Sequence, residues 1–173
     1  MEEAERRTRM EERQAKYSDK CIVRNAATGK IVRLCLDFDE ETGEPTVEVH
    51  PQLCRFLKEH QASGIQFLWD AVFESAEEVR AGRVPGGAIL AHCMGLGKTL
   101  QAISLIHCLM TNFSDKVSTV LILCPVNTIK NWVEEFEKWL STFVFDYEVF
   151  EMTSLVENAK RAERLETWHN EGG

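Results

Sequence analysis

The sequence lacks several features that would assign it to a protein class at once. It has no apolar run near the length needed to cross a bilayer, and its first residues, "MEEAERRTRMEERQ", contain no apolar segment like that of a secretory signal. Its 6 cysteines include no pair spaced C-x-x-C, which argues against a zinc site and a disulfide framework. We therefore expect reduced thiols, a cytosolic or nuclear location and no membrane partner.

Positive charge is also scarce. The chain has 20 Lys and Arg residues against 28 Asp and Glu residues, for a net charge of −8. A domain that grips nucleic acid by itself is usually basic. Any contact with DNA is therefore expected from a local patch, or from other parts of a larger protein. With 173 residues, 44% of them hydrophobic, the chain is long and apolar enough to be mostly globular.

The first fifty residues divide into two segments of different composition. Residues 1–20 are rich in Glu, Arg and Lys, and opposite charges four residues apart predict a solvated helix without a core of its own: Glu2 with Arg6, and Glu5 with Arg9. Residues 21–50 contain the β-rich stretches "KIVRLCLDF" and "PTVEVH" beside the turn signals "ATGK" and "ETGEP". We predict a charged helical extension followed by a small β-hairpin.

Residues 51–173 have the pattern of an α/β domain. The stretch 51–79 is helical, and Gly64 is expected to break it into two helices. After it, "GAILAH", "STVLILCP" and "FDYEVFEM" are predicted strands that alternate with predicted helices. One of these helices, "NTIKNWVEEFEKWL", has one apolar face, and the last is expected to open with a capping box at Ser154 and Glu157. Such alternation predicts βαβ units and a parallel sheet.

The stretch "AHCMGLGKTL", residues 91–100, is typical of a phosphate-binding loop. Gly95 and Gly97 allow the backbone to approach an anion closely, and the N–H groups of the loop and of the following helix point at it. Lys98 would place its charge on the β- and γ-phosphates, and the Thr99 hydroxyl would ligate Mg²⁺. The full pattern has a glycine five residues before Gly97, where this chain has His92. A chance glycine turn is the alternative.

Together with "LKEHQASGIQFLWD" and "CPVNTIKNWVEEFEKWL", this loop resembles the Swi/Snf-type ATPases of helicase superfamily two. Those enzymes usually carry acidic residues at the positions of His92 and Cys93. The stretch "AHCMGLGKT", with "LDFDEETGEPTVEVH" and "WHNEGG", is similar to the ATRX subgroup of chromatin remodellers. The resemblance implies a partial RecA-like lobe over residues 51–173, ATP and Mg²⁺ as cofactors, double-stranded DNA or chromatin as the partner of the complete motor, and a nuclear location.

The resemblance also implies roles for individual residues. Gln61 matches the glutamine that pairs with the adenine edge; otherwise it is an ordinary polar residue of a helix. The loop residues that would contact the nucleotide are Met94, Gly95, Leu96, Gly97, Lys98 and Thr99. Pro125, Asn127 and Thr128 fall in motif Ia, close to the DNA backbone in such enzymes. Asn127 or Thr128 would serve equally well as a helix cap.

A catalytic acidic motif is missing from these residues. In the family a D-E-x-H motif follows motif Ia, but no apolar strand ending in Asp-Glu follows Thr128. Asp39 and Glu40 imitate it, but they precede the glycine loop and fit a hairpin turn better. We expect the first part of the first motor lobe, which binds ATP but has no catalytic residue of its own. The alternative is a non-catalytic interaction fragment whose charged N-terminal helix binds a protein partner.

Overall fold

Seven helices and three strands are present in the described residues of the computed structural model, which are 2–83, 86–141 and 147–171. The chain divides into two compact units, Met1–Phe113 and Ser114–Gly173. The first contains α1 (Glu2–Cys21), β1 (Ile22–Arg24), β2 (Ile31–Phe38), β3 (Pro45–Val49), α2 (Pro51–Cys54), α3 (Glu59–Val72), α4 (Ala76–Arg80) and α5 (Lys98–Asn112). The second contains a 3-10 turn (Val126–Thr128), α6 (Ile129–Leu140) and α7 (Asn158–Glu171).

The charged N-terminal segment is a helix, as predicted, but it is not solvated on all of its faces. Tyr17 of α1 is buried and stacks on Phe38 of β2 with ring centroids 4.7 Å apart. Arg6 and Arg9 both form ion pairs with Glu74, which follows α3. One face of α1 thus packs against the rest of the first unit, because long-range partners are available to its tyrosine and arginines.

The three strands form an antiparallel sheet in the order β1-β2-β3. Leu34 of β2 is opposite Val49 of β3. In the turn between these strands, the Asp39 carboxylate accepts hydrogen bonds from the backbone N–H groups of Glu41 and Thr42, which lower the pKa of Asp39. The predicted hairpin is confirmed, and Asp39 and Glu40 belong to its turn.

A buried carboxylate joins α1, the sheet and α4. Asp37 of β2 forms an ion pair with Arg13 of α1, and its Oδ2 accepts a 2.6 Å hydrogen bond from the backbone N–H of Ala76. The side chain of Asp37 is only 3% exposed. Desolvation raises the pKa of Asp37, although the hydrogen bond from Ala76 and the charge of Arg13 act against that rise.

Gly64 does not break the helix, contrary to the sequence-based expectation. It lies in the middle of α3 and is buried. A Cβ atom at this position would overlap the amide oxygen of Gln101 in α5. The glycine therefore permits close approach of two helices, and the cost of glycine inside a helix is offset by that packing.

The helices α3 and α5 contribute large side chains to the core of the first unit. Trp69 of α3 is fully buried, and its ring is 6.0 Å from that of Phe113, which ends α5. Ile65 and Ile103 are also fully buried. This packing holds α5, which the glycine loop precedes, against α3.

The predicted parallel sheet is not shown by the structure. Residues 87–92, 118–125 and the described part of the third stretch, 147–152, contain no strand; residues 145–146 of that stretch lie outside the described residues. Apolar alternation is a property of the local sequence, whereas a strand also needs a hydrogen-bonded neighbour. Ile89 is 85% exposed and Leu123 is 86% exposed, so the apolar side chains on one side of these stretches are uncovered.

In the second unit, α6 has the predicted apolar face. Ile129, Trp132, Val133 and Phe136 are half-buried, and Leu140 is buried. The predicted capping box at Ser154 is wrong: α7 begins at Asn158, and the Arg161 N–H bonds to the carbonyl of Glu157. Among the helices described, none has the length and apolar character required to span a bilayer.

Candidate phosphate-binding loop

The glycine loop leads directly into α5, as the sequence predicts. Gly95 and Gly97 have φ angles of 80° and 74°, in the left-handed region that favours glycine, and Gly97 is the N-cap residue of α5. No atom would lie within 4 Å of a Cβ at Gly95. The two glycines therefore turn the chain beside open space at the amino end of a 15-residue helix.

Most of the loop faces solvent. Met94 is 96% exposed and Leu96 is 38% exposed, and Cys93 is exposed as well. The first N–H groups of a helix have no partner within it, and the helix dipole adds partial positive charge at this end. The end of α5 that faces the loop is thus suited to an anion.

Lys98 is folded back over the loop. Its Nζ donates hydrogen bonds to the carbonyl oxygens of His92 at 2.7 Å and Cys93 at 3.1 Å. The ammonium group is thereby held over the loop, where an anion bound by the backbone N–H groups would meet it. Thr99, in the first turn of α5, is half-buried.

Gln61 on α3 contacts the loop from the side. Its Nε2 donates to the carbonyl of Leu96 at 3.2 Å, and its Oε1 accepts from the backbone N–H of Lys58 at 2.9 Å. The side chain is buried, and its Nε2 occupies the space that a Cβ at Gly97 would need. The structure thus brings Gln61 to the glycine loop. Its Nε2 has a partner in the loop, and its Oε1 has a partner at the start of α3.

Two further residues, His60 and Gln101, contact the loop, and the sequence did not single out either of them as a site residue. His60 Nε2 is 3.2 Å from the Leu96 carbonyl, and the His60 ring packs edge-to-face on that of His92 at 6.0 Å. Gln101 reaches the loop from α5, and Gly64 of α3 accommodates it. Nothing in their local sequence signals these contacts, which depend on the packing of α3 against α5.

The motif Ia residues belong to the second unit. Pro125 and Asn127 are exposed, and Thr128 is half-buried. Thr128 occupies the N-cap position of α6, but its hydroxyl donates to the Pro125 carbonyl at 2.7 Å, so it does not cap the helix through its side chain. The turn therefore leaves the first N–H groups of α6 without a side-chain cap from Thr128.

The thiols and the other potential metal ligands are not arranged as a metal site. All six cysteines are free. Across residues 2–83, 86–141 and 147–171, no group of three or more His, Cys, Asp or Glu side chains is placed to hold a metal ion. Burial raises the pKa of the Cys35 and Cys108 thiols to about 12, so these groups are protonated at neutral pH.

Comparison with known proteins places this loop in a family. The profile of the SNF2-related domain matches residues 55–167, a range that includes Gln61, the glycine loop and motif Ia. The chain is 42% identical over 175 aligned residues to the Transcriptional regulator ATRX homolog of Drosophila melanogaster. The alignment covers 99% of the chain and 13% of that relative. The chain is 44% identical over 144 residues to the Transcriptional regulator ATRX of Homo sapiens, covering 82% of the chain and 6% of the relative.

A plant relative is also similar. Protein CHROMATIN REMODELING 20 of Arabidopsis thaliana is 37% identical over 152 residues, which cover 88% of the chain and 10% of that protein. The chain thus spans a small share of the length of each of these relatives. The profile match over most of the chain, together with the identity to ATRX homologues, shows that the chain belongs to the SNF2-related family, as an ATRX-like member.

Proposed function

We propose that this chain binds Mg²⁺–ATP at the glycine loop, as the nucleotide-binding part of a DNA-dependent ATPase motor of the chromatin-remodelling type. The observation that carries the proposal is the pair of left-handed glycines, Gly95 and Gly97, at the open amino end of α5. The family membership supports the same assignment.

The residues present fit a nucleotide phosphate chain. The backbone N–H groups of the loop and of the first turn of α5 would bind its oxygens, and Lys98 would exchange its contacts with the His92 and Cys93 carbonyls for the β- and γ-phosphates. The Thr99 hydroxyl would hold Mg²⁺, which neutralises phosphate charge when bound. Gln61 would pair with the adenine edge after exchanging its contacts with Lys58 and Leu96.

Hydrolysis by these residues alone is expected to be negligible. Phosphoryl transfer needs a group that positions the attacking water and further charge to stabilise the transition state. No Asp-Glu pair follows an apolar stretch after Thr128. Asp39 and Glu40 lie in the hairpin turn, where backbone N–H groups already bind the Asp39 carboxylate. Steady DNA-stimulated turnover by this chain that disappears in Lys98→Ala would contradict this part of the proposal.

We assign a nuclear location to the complete motor. Within it, Pro125, Asn127 and Thr128 would contact the DNA backbone. The exposure of Pro125 and Asn127, and the absence of a side-chain cap by Thr128 on α6, support a phosphate contact there. The chain's net charge of −8 makes strong DNA binding by these residues alone unfavourable. Asn127→Ala should therefore weaken DNA binding only in the context of the whole protein.

We also propose that the stretches 87–92 and 118–125, and the described part of 145–152, are strands of a RecA-like parallel sheet. The first two stretches support this, because half-buried and exposed side chains alternate along them as they do in a strand. In the first, the half-buried residues are Ala88, Leu90 and His92, and the exposed ones between them are Ile89 and Ala91. In the second, the half-buried residues are Val120, Ile122 and Cys124, and the exposed ones between them are Leu121 and Leu123. Slow amide hydrogen exchange in 120–124 would support paired strands, and exchange at the rate of an unstructured peptide would contradict them.

Occupancy of the loop is tested by the reactivity of Cys93. Its thiol is exposed and lies inside the loop, so Mg²⁺–ATP should slow its alkylation, read by peptide mass spectrometry. Cys21 on α1 is the internal control, because its labelling rate should not respond to nucleotide. Unchanged labelling of Cys93 at saturating Mg²⁺–ATP would contradict nucleotide binding at the loop.

The alternative, an interaction fragment whose N-terminal helix binds a protein partner, has less support. Arg6, Arg9 and Arg13 of α1 are engaged by Glu74 and Asp37 of the same chain. These arginines therefore stabilise the fold, and their charge is not available to an acidic partner without loss of those contacts.

A further inference from the structure

Gln101 is a fully buried amide that points back at the glycine loop. It lies one turn into α5 with no exposed surface. Its Nε2 is 3.3 Å from the Gly97 carbonyl oxygen, 3.4 Å from the Leu96 carbonyl oxygen and 3.4 Å from Nδ1 of His92. Two N–H hydrogens thus serve three acceptors.

The three acceptors come from the two ends of the loop. His92 lies where the extended stretch enters the loop, and Leu96 and Gly97 lie where the loop closes onto α5. A single amide group therefore spans the base of the loop and fixes the separation of its two ends. Lys98, the first residue of α5, also reaches the entrance of the loop, but its donor is the ammonium group that would turn to a bound phosphate. Gln101 would keep its contacts when that happens.

The other polar atom of Gln101 does not add to stability. Its Oε1 is buried and has no hydrogen-bond partner within the described residues. An unsatisfied buried carbonyl destabilises a fold, and an apolar side chain of similar size would avoid that cost. The oxygen is accommodated because Gly64 leaves α3 without a Cβ at the point of contact.

We propose that Gln101 is a positioning residue for phosphate binding: it holds the two ends of the glycine loop at the spacing that aims the backbone N–H groups at the anion. The effect of Gln101 on phosphate affinity rests on the proposed nucleotide binding. The restraint of the loop by Gln101 exists in the nucleotide-free protein too.

Gln101→Met is the most informative variant, because it keeps the volume and removes both the N–H donors and the unsatisfied oxygen. We expect an unchanged or higher unfolding temperature, and amide hydrogen exchange of residues 94–97 that is several-fold faster without nucleotide. Loss of these hydrogen bonds is expected to weaken ATP, ADP and pyrophosphate alike, by about tenfold, because the loop contacts phosphate and not the base. Gln101→Leu provides a second apolar replacement.

Ser104→Ala is the matched control. Ser104 is a fully buried polar residue of the same helix, and its hydroxyl has no partner among the described atoms either. This variant should leave both loop exchange and phosphate affinity as in the wild type.

The outcomes separate the two proposals. Unchanged amide hydrogen exchange of the loop in both Gln101 variants overturns the positioning role. Faster exchange throughout the first unit, together with a lower unfolding temperature, also overturns it, because that result would show a structural role. If the wild type binds no nucleotide while the variants loosen the loop selectively, the nucleotide-binding proposal fails and the restraint stands. If the wild type binds ATP and the variants bind it equally well, the positioning role fails.

Discussion

Gly64 of α3 and Gln101 of α5 lie so close together that a methyl group on residue 64 would overlap the Gln101 Oε1. The His92 ring lies on the same side, with its Cε1 3.1 Å from the position of that methyl group. The contact therefore joins the helix that carries Gln61 to the helix that starts at the glycine loop.

Gly64→Ala should destabilise the first unit. Although alanine favours a helix, its methyl group must displace Gln101 or separate α3 from α5, at a cost of about 1–3 kcal/mol. Urea unfolding followed by circular dichroism measures the change. Gly87→Ala is the control, because a Cβ at Gly87 would have open space, and Gly64→Ala combined with Gln101→Ala should recover part of the loss. Equal stability of Gly64→Ala and wild type would show that the two helices are not tightly packed here.

The sequence predicted the features that depend on local patterns. The glycine loop, the hairpin turn at Asp39 and the apolar face of α6 each follow from residue types at short spacing. The role of Gly64 could not be predicted, because it depends on Gln101, 37 residues later in the chain by their numbers. Tyr17 is likewise buried by a ring far away in sequence. Arg6 and Arg9 form ion pairs with Glu74, which is also distant in sequence.

The site was predicted in part for the same reason. Gln61 and the glycine loop were expected together because of the family resemblance, and the structure brings them together through the Leu96 carbonyl. His60 and Gln101 also reach that carbonyl, but a polar residue on a helix carries no sign in its local sequence of what it will contact.

Arg13→Met should lower stability by about 2 kcal/mol, because it leaves the Asp37 carboxylate in a buried environment without its cation. Methionine keeps much of the apolar stem of arginine. Arg7→Met is the matched control: Arg7 pairs with Glu11 on the solvent side of α1, where such pairs contribute about 0.5 kcal/mol or less. Comparable losses in the two variants, measured by urea unfolding, would contradict a structural role for the Asp37 pair.

His107 should make stability depend on pH between about 6.5 and about 4. Burial, helped by the charge of nearby His50, lowers the pKa of His107 from 6.5 to about 4 in the folded protein. The unfolded chain therefore binds more protons in this interval, so stability falls as the pH is lowered from 6.5 towards 4. His107→Gln should have a flatter profile of unfolding temperature against pH.

Comparing the wild type with His107→Gln separates the effect of the His107 imidazole from that of the carboxylates, which titrate in both proteins. His169→Gln, a change at an exposed histidine of α7, should keep the wild-type profile. If His107→Gln and the wild type lose stability in parallel between pH 6.5 and 4, the buried imidazole is not the cause.

Binding of Mg²⁺–ATP, measured by isothermal titration calorimetry on the wild type, Lys98→Ala and the charge-matched control Lys30→Ala, tests the central claim most directly. Circular dichroism establishes first that all three are folded. Loss of a charged hydrogen-bond donor to phosphate should weaken binding by about tenfold or more in Lys98→Ala, while Lys30→Ala, altered in an exposed turn of the sheet, binds like the wild type. A folded wild type that binds no nucleotide, or equal affinity in all three proteins, would contradict nucleotide binding at the glycine loop.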